Sequence, residues 1–147
     1  MPYFSKSSQR ELDSIHPKLQ LVVNELIKHV DFKVFEGLRS KDRQAHLVES
    51  GASKTMHSKH LKGYAVDLYL LPINWKNEER WTWFMGLVQG IGLALGVEIT
   101  CGRDWRREWF VKDKNHTKRF RNGTYDFVHF ELSKTEIQKI EQGEQND

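Results

Sequence analysis

Residues 57–72, HSKHLKGYAVDLYLLP, set two histidines, a glycine and one aspartate in and around an otherwise apolar run. The segment YAVDLYL has the β-branched and aromatic content of a strand, and Pro72, which has no N–H to give to a sheet ladder, halts it. Side chains alternate along a strand, so Tyr64, Val66 and Leu68 share one face while Ala65, Asp67 and Tyr69 share the other. Asp67 is therefore turned away from the most apolar face. A later run, DFVHFEL at residues 126–132, groups Phe127, His129 and Glu131 opposite Val128, Phe130 and Leu132. Each strand thus offers ligand-type side chains from the face its apolar neighbours avoid. Gly63 lets the chain turn into the first strand, so that His60 can converge on Asp67.

Working outward, SSQRELDSIHPKLQLVVNELIKHV predicts one or two N-terminal helices, with Ser8 and Glu11 as a possible capping box and Leu19, Val22, Val23, Leu26 and Ile27 as the apolar stripe. DFKVFEG reads as a short strand ended by Gly37. SKDRQAHLVESG reads as a helix capped by Ser40 and stopped by Gly51, which puts Leu38 and Arg39 at a strand-to-helix junction. NEERWTWFMGLVQGIGLALG spaces Trp81, Phe84, Met85, Val88, Ile91 and Leu95 along one helical face. VEITCG is a further strand, and SKTEIQKIEQ is a capped terminal helix. These elements give an α+β class, a small sheet covered by helices, with no repeat or linker.

The chain has 147 residues, of which 38% are hydrophobic and 29% charged, enough apolar content for one core and too much for disorder. A single domain over residues 1–147 is expected, with no separate second domain. One cysteine, Cys101, excludes an internal disulfide and a multi-thiolate metal site. Any metal must be held by histidines and carboxylates. The polar N-terminus is unlike a signal peptide, and no run of about 18 apolar residues occurs that would read as a membrane span. Synthesis in a cytoplasm, without membrane insertion, is the expectation.

Two imidazoles and one carboxylate with a position left open to water match a catalytic rather than a structural zinc site. Such a set also suits non-haem iron, although that site usually begins His-x-Asp, whereas six residues separate His60 from Asp67 here. On chemistry alone the metal stays undecided.

SKHLKGYAVDL resembles the S-x-H-x-x-G-x-A-x-D-[LF] motif of the zinc peptidases that include D-Ala-D-Ala carboxypeptidases and dipeptidases and the phage L-alanyl-D-glutamate endopeptidases. YDFVHFEL is similar to that family's second motif, an acidic residue three positions before the last histidine. The N-terminal SKSSQRELDSIHPKLQLVV, the EGLRSKDRQ segment and CGRDW extend the resemblance over nearly the whole chain. It implies a mainly antiparallel sheet with flanking helices, as in the hedgehog and D-Ala-D-Ala-peptidase folds, in a monomer most like the compact phage endolysins. It also implies Zn2+ held by His60, Asp67 and His129, with Asp126 as general base. Residues three apart on a regular strand face opposite sides, so Asp126 must lie at an irregular start of the strand, where Asn122 and Gly123 favour a turn. By alternation alone Glu131 is the rival base; the family pattern leaves it a supporting role beside His129.

In the family's R-S-x-x-x-Q segment stand Arg39, Ser40 and Gln44. The resemblance makes Arg39 a clamp for a substrate carboxylate or an oxyanion, with Gln44 and Ser58 as substrate-binding or supporting residues and Ser58 a hydrogen-bond donor near the site. His57 falls outside the motif and is expected to be solvated, as are His16, His29, His46 and His116. The implied partner is bacterial peptidoglycan, cut in its stem peptide at the L-Ala–D-Glu bond. The enzyme would wait in the host cytoplasm for release through a membrane pore made by another protein. A D-Ala-D-Ala carboxypeptidase is the alternative within the family.

Residues 103–125 carry eight Lys or Arg against three acids, interleaved with aromatic side chains. Alone, this pattern could bind nucleic acid. No nucleic-acid partner is expected, because such a binder has no use for His60, Asp67 and His129 in ligand-like positions, whereas a wall enzyme gains from a basic surface facing an anionic polymer.

Overall fold

A computed structural model describes residues 3–53, 55–102 and 126–146. Four strands, β1 (Phe32–Glu36), β2 (Ala65–Leu70), β3 (Ile99–Cys101) and β4 (His129–Leu132), form an antiparallel sheet in the order β1-β2-β4-β3. Around it lie the helices α1 (Lys6–Asp13), α2 (Pro17–Leu26), α3 (Lys41–Glu49), α4 (Glu78–Ala94) and α5 (Lys134–Asn146). A short 3-10 turn, Lys59–Lys62, leads into β2. The expected α+β class and antiparallel sheet are both present.

One face of the sheet is buried under helices. Val34, Val66, Leu68, Leu70, Phe130 and Leu132 meet Leu12, Leu19, Val22 and Leu26 of α1 and α2 and Trp81, Phe84 and Val88 of α4. Phe84 is central, with its ring 6.0 Å from Phe32 and 5.7 Å edge-on from Phe130. Each such side chain contributes about 1.5–3 kcal/mol relative to exposure, so this face sets the stability of the domain.

The alternation read from the sequence holds in β2, and the terminal helix is capped as expected, with Ser133 Oγ accepting from the Glu136 N–H. Three local expectations change. The α1 cap is Ser5, whose Oγ accepts from the Ser8 N–H at 3.2 Å, and not Ser8 itself. Ser8 and Glu11 lie inside the helix and reach across to the strand instead: Ser8 Oγ accepts from the Val34 N–H and Glu11 Oε2 from the Gly37 N–H. They tie α1 to the unpaired side of β1. Second, the α4 face stops short of Leu95, which caps the helix and is 42% exposed. Third, β4 begins only at His129, so Asp126–Val128 form a turn ahead of the strand.

Candidate metal centre

The register of the β2–β4 ladder assembles the site. Asp67 pairs with His129 and Ala65 with Glu131, so Asp67, His129 and Glu131 stand on the sheet face opposite the core. His60 arrives from the 3-10 turn. Ser58 caps that turn, its Oγ accepting from the His60 N–H, and Gly63 ends it at φ +74°, a left-handed conformation that suits glycine. The Arg39 N–H donates to the His60 carbonyl at 2.9 Å, fastening the turn to the segment after β1.

His60, Asp67 and His129 each offer a ligand atom, and the three atoms lie within 4.8 Å of one another. Asp67 Oδ1 is 3.2 Å from His60 Nε2 and 3.4 Å from His129 Nδ1. The outer nitrogens are already committed. His60 Nδ1 lies 2.8 Å from the Gly37 carbonyl, which can only accept, and His129 Nε2 lies 2.9 Å from Glu131 Oε1. In the neutral imidazoles, with Nδ1–H of His60 and Nε2–H of His129 donating outward, the inward nitrogens present lone pairs toward the Asp67 carboxylate. His60 Nε2 and Asp67 Oδ1 are buried and make no hydrogen bond among the described residues. Acceptors facing acceptors at this distance are stabilised by a cation, so the donor set fits a metal ion held by two imidazoles and a carboxylate.

Electrostatics point the same way. Burial raises the pKa of Asp67, but the imidazoles of His129 and His60 more than offset this and hold its carboxyl well below the usual carboxylate range. Burial disfavours a charged His129, yet Asp67 and Glu131 outweigh it and raise its pKa to about 9. The two groups therefore hold each other charged, Asp67 as carboxylate and His129 as imidazolium, and a metal ion bound there would take the place of the His129 proton.

Asp126 lies on the turn before β4 and lines the cleft with the three ligand-type residues. Burial, reinforced by the Asp67 charge, pushes its pKa up against the pull of His129, which makes it a better proton acceptor than an ordinary aspartate. Its backbone packs directly on Gly102. A Cβ at Gly102 would fall 2.9 Å from the Asp126 Cβ and closer still to its carbonyl oxygen. The expected turn residues Asn122 and Gly123 lie outside the described residues, as do His116 and the basic aromatic stretch 103–125.

The guanidinium of Arg39 is nearly buried. Its Nε donates to Glu36 Oε1 and its NH1 to Gln44 Oε1, each at 2.8 Å, while NH2 stands 3.9 Å from Asp67 Oδ2. Gln44 is fully buried and passes the contact on, donating to Ser53 Oγ and the Thr55 carbonyl. Both residues brace the cleft wall from behind Asp67. Ser58 lines the cleft, whereas its oxygen serves as an acceptor for the turn. Glu131 bridges His129 and Lys59 Nζ, and these two partners outweigh burial to lower its pKa. Such an acid holds a histidine in place and is poorly suited to take a proton.

Among the other histidines, His57 is exposed at the cleft rim, and His29 and His46 are exposed, as expected. His16 differs: its Nδ1 accepts from the Lys18 N–H to cap α2. Sequence reasoning missed Glu36, Lys59 and the Gly37 carbonyl. Glu36 follows Phe32 and Val34 in the buried alternation of β1, a carboxylate where a core residue is due. A register shift between Val34 and Glu36 turns it opposite Asp67, where it holds Arg39 and Arg43.

The cleft encloses about 840 Å³. Among the described residues no helix is long and apolar enough to cross a membrane. Residues 1–133 match the phage L-alanyl-D-glutamate peptidase family, a span that includes every residue of the cleft. The fold is similar to the crystal structure of the Serratia marcescens L-Ala D-Glu endopeptidase ChiX, with a TM-score of 0.71 and 27% sequence identity over 91% of this chain and 92% of that one. No curated protein sequence matches significantly.

Proposed function

The chain belongs to the phage L-alanyl-D-glutamate peptidase family, and on that premise we propose that it is a zinc endopeptidase cutting the L-Ala–D-Glu bond of the peptidoglycan stem peptide, acting as a phage endolysin in host cell lysis. The observation that carries this reading is the pair of buried atoms, His60 Nε2 and Asp67 Oδ1, that have no hydrogen-bond partner among the described residues, beside the inward nitrogen of His129. His60, Asp67 and His129 would hold the zinc, which when bound would supply Lewis acidity for the scissile carbonyl and for the attacking water.

The protein's own groups do the rest. Asp126 accepts the proton of the attacking water and hands it to the departing amine, a task its raised pKa favours. The Gly37 carbonyl and Glu131 fix which nitrogen of each imidazole faces inward. Arg39 orients Asp67, and its NH2 is the edge left to meet developing negative charge on the substrate. Gln44 keeps that guanidinium in place. Ser58 holds the turn that delivers His60. The enzyme is a monomer, made in the host cytoplasm and released to the wall through a pore.

Digestion of purified peptidoglycan with and without a chelator, followed by mass spectrometry of the new amino termini, tests the reading. Chelator-sensitive appearance of N-terminal Glu is expected. Release of free D-Ala would instead make the protein a carboxypeptidase, and hydrolysis indifferent to chelator would remove the metal from the reaction.

A further inference from the structure

The face of the sheet that carries the metal centre continues past it into an aromatic strip. Tyr69 lies two residues beyond Asp67 on β2 and so on the same face, roughly 7 Å along the strand. Phe35, which lines the cleft, stacks on Tyr69 at 4.4 Å and 10°. Lys33 is paired with Tyr69 across the ladder and holds its ammonium 5.3 Å from the Tyr69 ring and 5.7 Å from that of Phe35. Trp75 meets Tyr69 edge-on at 5.3 Å and lies flat against the buried Trp81, also at 5.3 Å. Phe35 and Trp75 nevertheless remain 44% and 51% exposed. On the other side of Asp67 the same face is polar, with Glu131 and Lys59 opposite and beside Ala65.

The chain's own hydrogen bonds hold this strip in shape. Arg80 donates to the carbonyls of Leu71 and Pro72, and Trp81 Nε1 donates to the Asn74 carbonyl, which pins the segment that carries Trp75. Clustered aromatic side chains kept in water beside a cleft mark a binding surface, and a surface fixed beforehand loses little entropy on binding.

We propose that Phe35, Tyr69 and Trp75, with the ammonium of Lys33, form a subsite for the glycan strand of peptidoglycan. Pyranose rings present C–H faces that stack on aromatic rings, and their hydroxyl and acetamide oxygens accept from an ammonium. The proposal deepens the endopeptidase reading and rests on it for the choice of polymer. In the stem peptide, L-Ala is joined through its amine to the lactyl group of a sugar, so the bond between L-Ala and D-Glu lies a single residue from the glycan. One extended residue spans about 3.3–3.6 Å, and the lactyl group adds a similar reach. A substrate held for cleavage at the metal centre therefore brings its sugar to the distance at which Tyr69 begins the strip. The apolar side of Asp67 takes the sugar and the polar side takes the peptide.

Peptide-free glycan strands, titrated against the full chain and read by sedimentation, test this apart from hydrolysis. The wild type should bind. Trp75→Leu and Phe35→Leu should each bind about threefold to tenfold more weakly, the range expected for one lost aromatic contact. Trp75→Phe, which keeps a ring on Trp81, should regain most of the loss, and melting curves identify any variant that merely unfolds. A wild type that cleaves free stem peptide but ignores the glycan overturns the subsite and leaves the peptidase intact. Leucine variants that bind as tightly as the wild type overturn it as well. Glycan binding by a wild type that cleaves no peptide would keep the subsite and sink the peptidase.

Discussion

Two adjacent rungs of the β2–β4 ladder, Val66 with Phe130 and Asp67 with His129, are both largely shielded from water, and for opposite reasons. Val66 and Phe130 point into the core, where neighbouring side chains satisfy them completely. Asp67 and His129 point to the open face, where His60 Nε2 and Asp67 Oδ1 find no hydrogen-bond partner among the described residues. The first rung contributes to stability by being there. The second costs stability until something positive fills it, which is the signature of a site kept for function.

Substitutions on the two faces should therefore separate stability from activity. His60→Ala should abolish both stoichiometric zinc and peptidoglycan hydrolysis while the metal-free variant still unfolds in a single cooperative transition, because the ring lies on the face opposite the core. Full zinc content with undiminished lysis, measured by metal analysis and turbidity, would break the contrast. Asp126→Ala should remain folded and zinc-loaded but hydrolyse about 10²–10⁴-fold more slowly, the usual share of a general base. Substantial residual turnover would move the proton elsewhere.

On the core face, Phe130→Ala should cost about 3–5 kcal/mol in denaturant unfolding. Any loss of hydrolysis should then follow the unfolded fraction, and a folded but inactive variant would show that the two faces are coupled. Gly102→Ala presses a methyl group onto Asp126 and should lower turnover by about a hundredfold, the scale of a 1 Å misplacement, with zinc content unchanged. The smallest effect is expected for Glu131→Gln, which weakens the grip on His129 and should reduce zinc affinity about tenfold to a hundredfold in a competition titration.

Much of this was legible in the sequence, and the reason lies in what is local. Alternation placed Asp67 and His129 on the faces they occupy, because the period of a strand is a property of that strand alone. The Ser40 cap, the Gly51 stop and the left-handed Gly63 were equally readable, since each depends on a few neighbouring residues. The misplaced cap shows the limit. Ser8 and Glu11 have the spacing of a capping box, yet their side chains serve the backbone of β1, a partner that no local rule can see.

By itself, then, the sequence determined which side chains could be ligands, which face of each strand they take, and the family to which two short motifs belong. Tertiary structure alone decided the register that sets Asp67 opposite His129 and the irregularity in β1 that turns Glu36 toward Arg39. It also decided the approach of the Gly37 carbonyl and Glu131, which leaves lone pairs facing a single point. Register and close approach join residues far apart in the chain, and they are set by how the whole core packs rather than by any neighbouring residue.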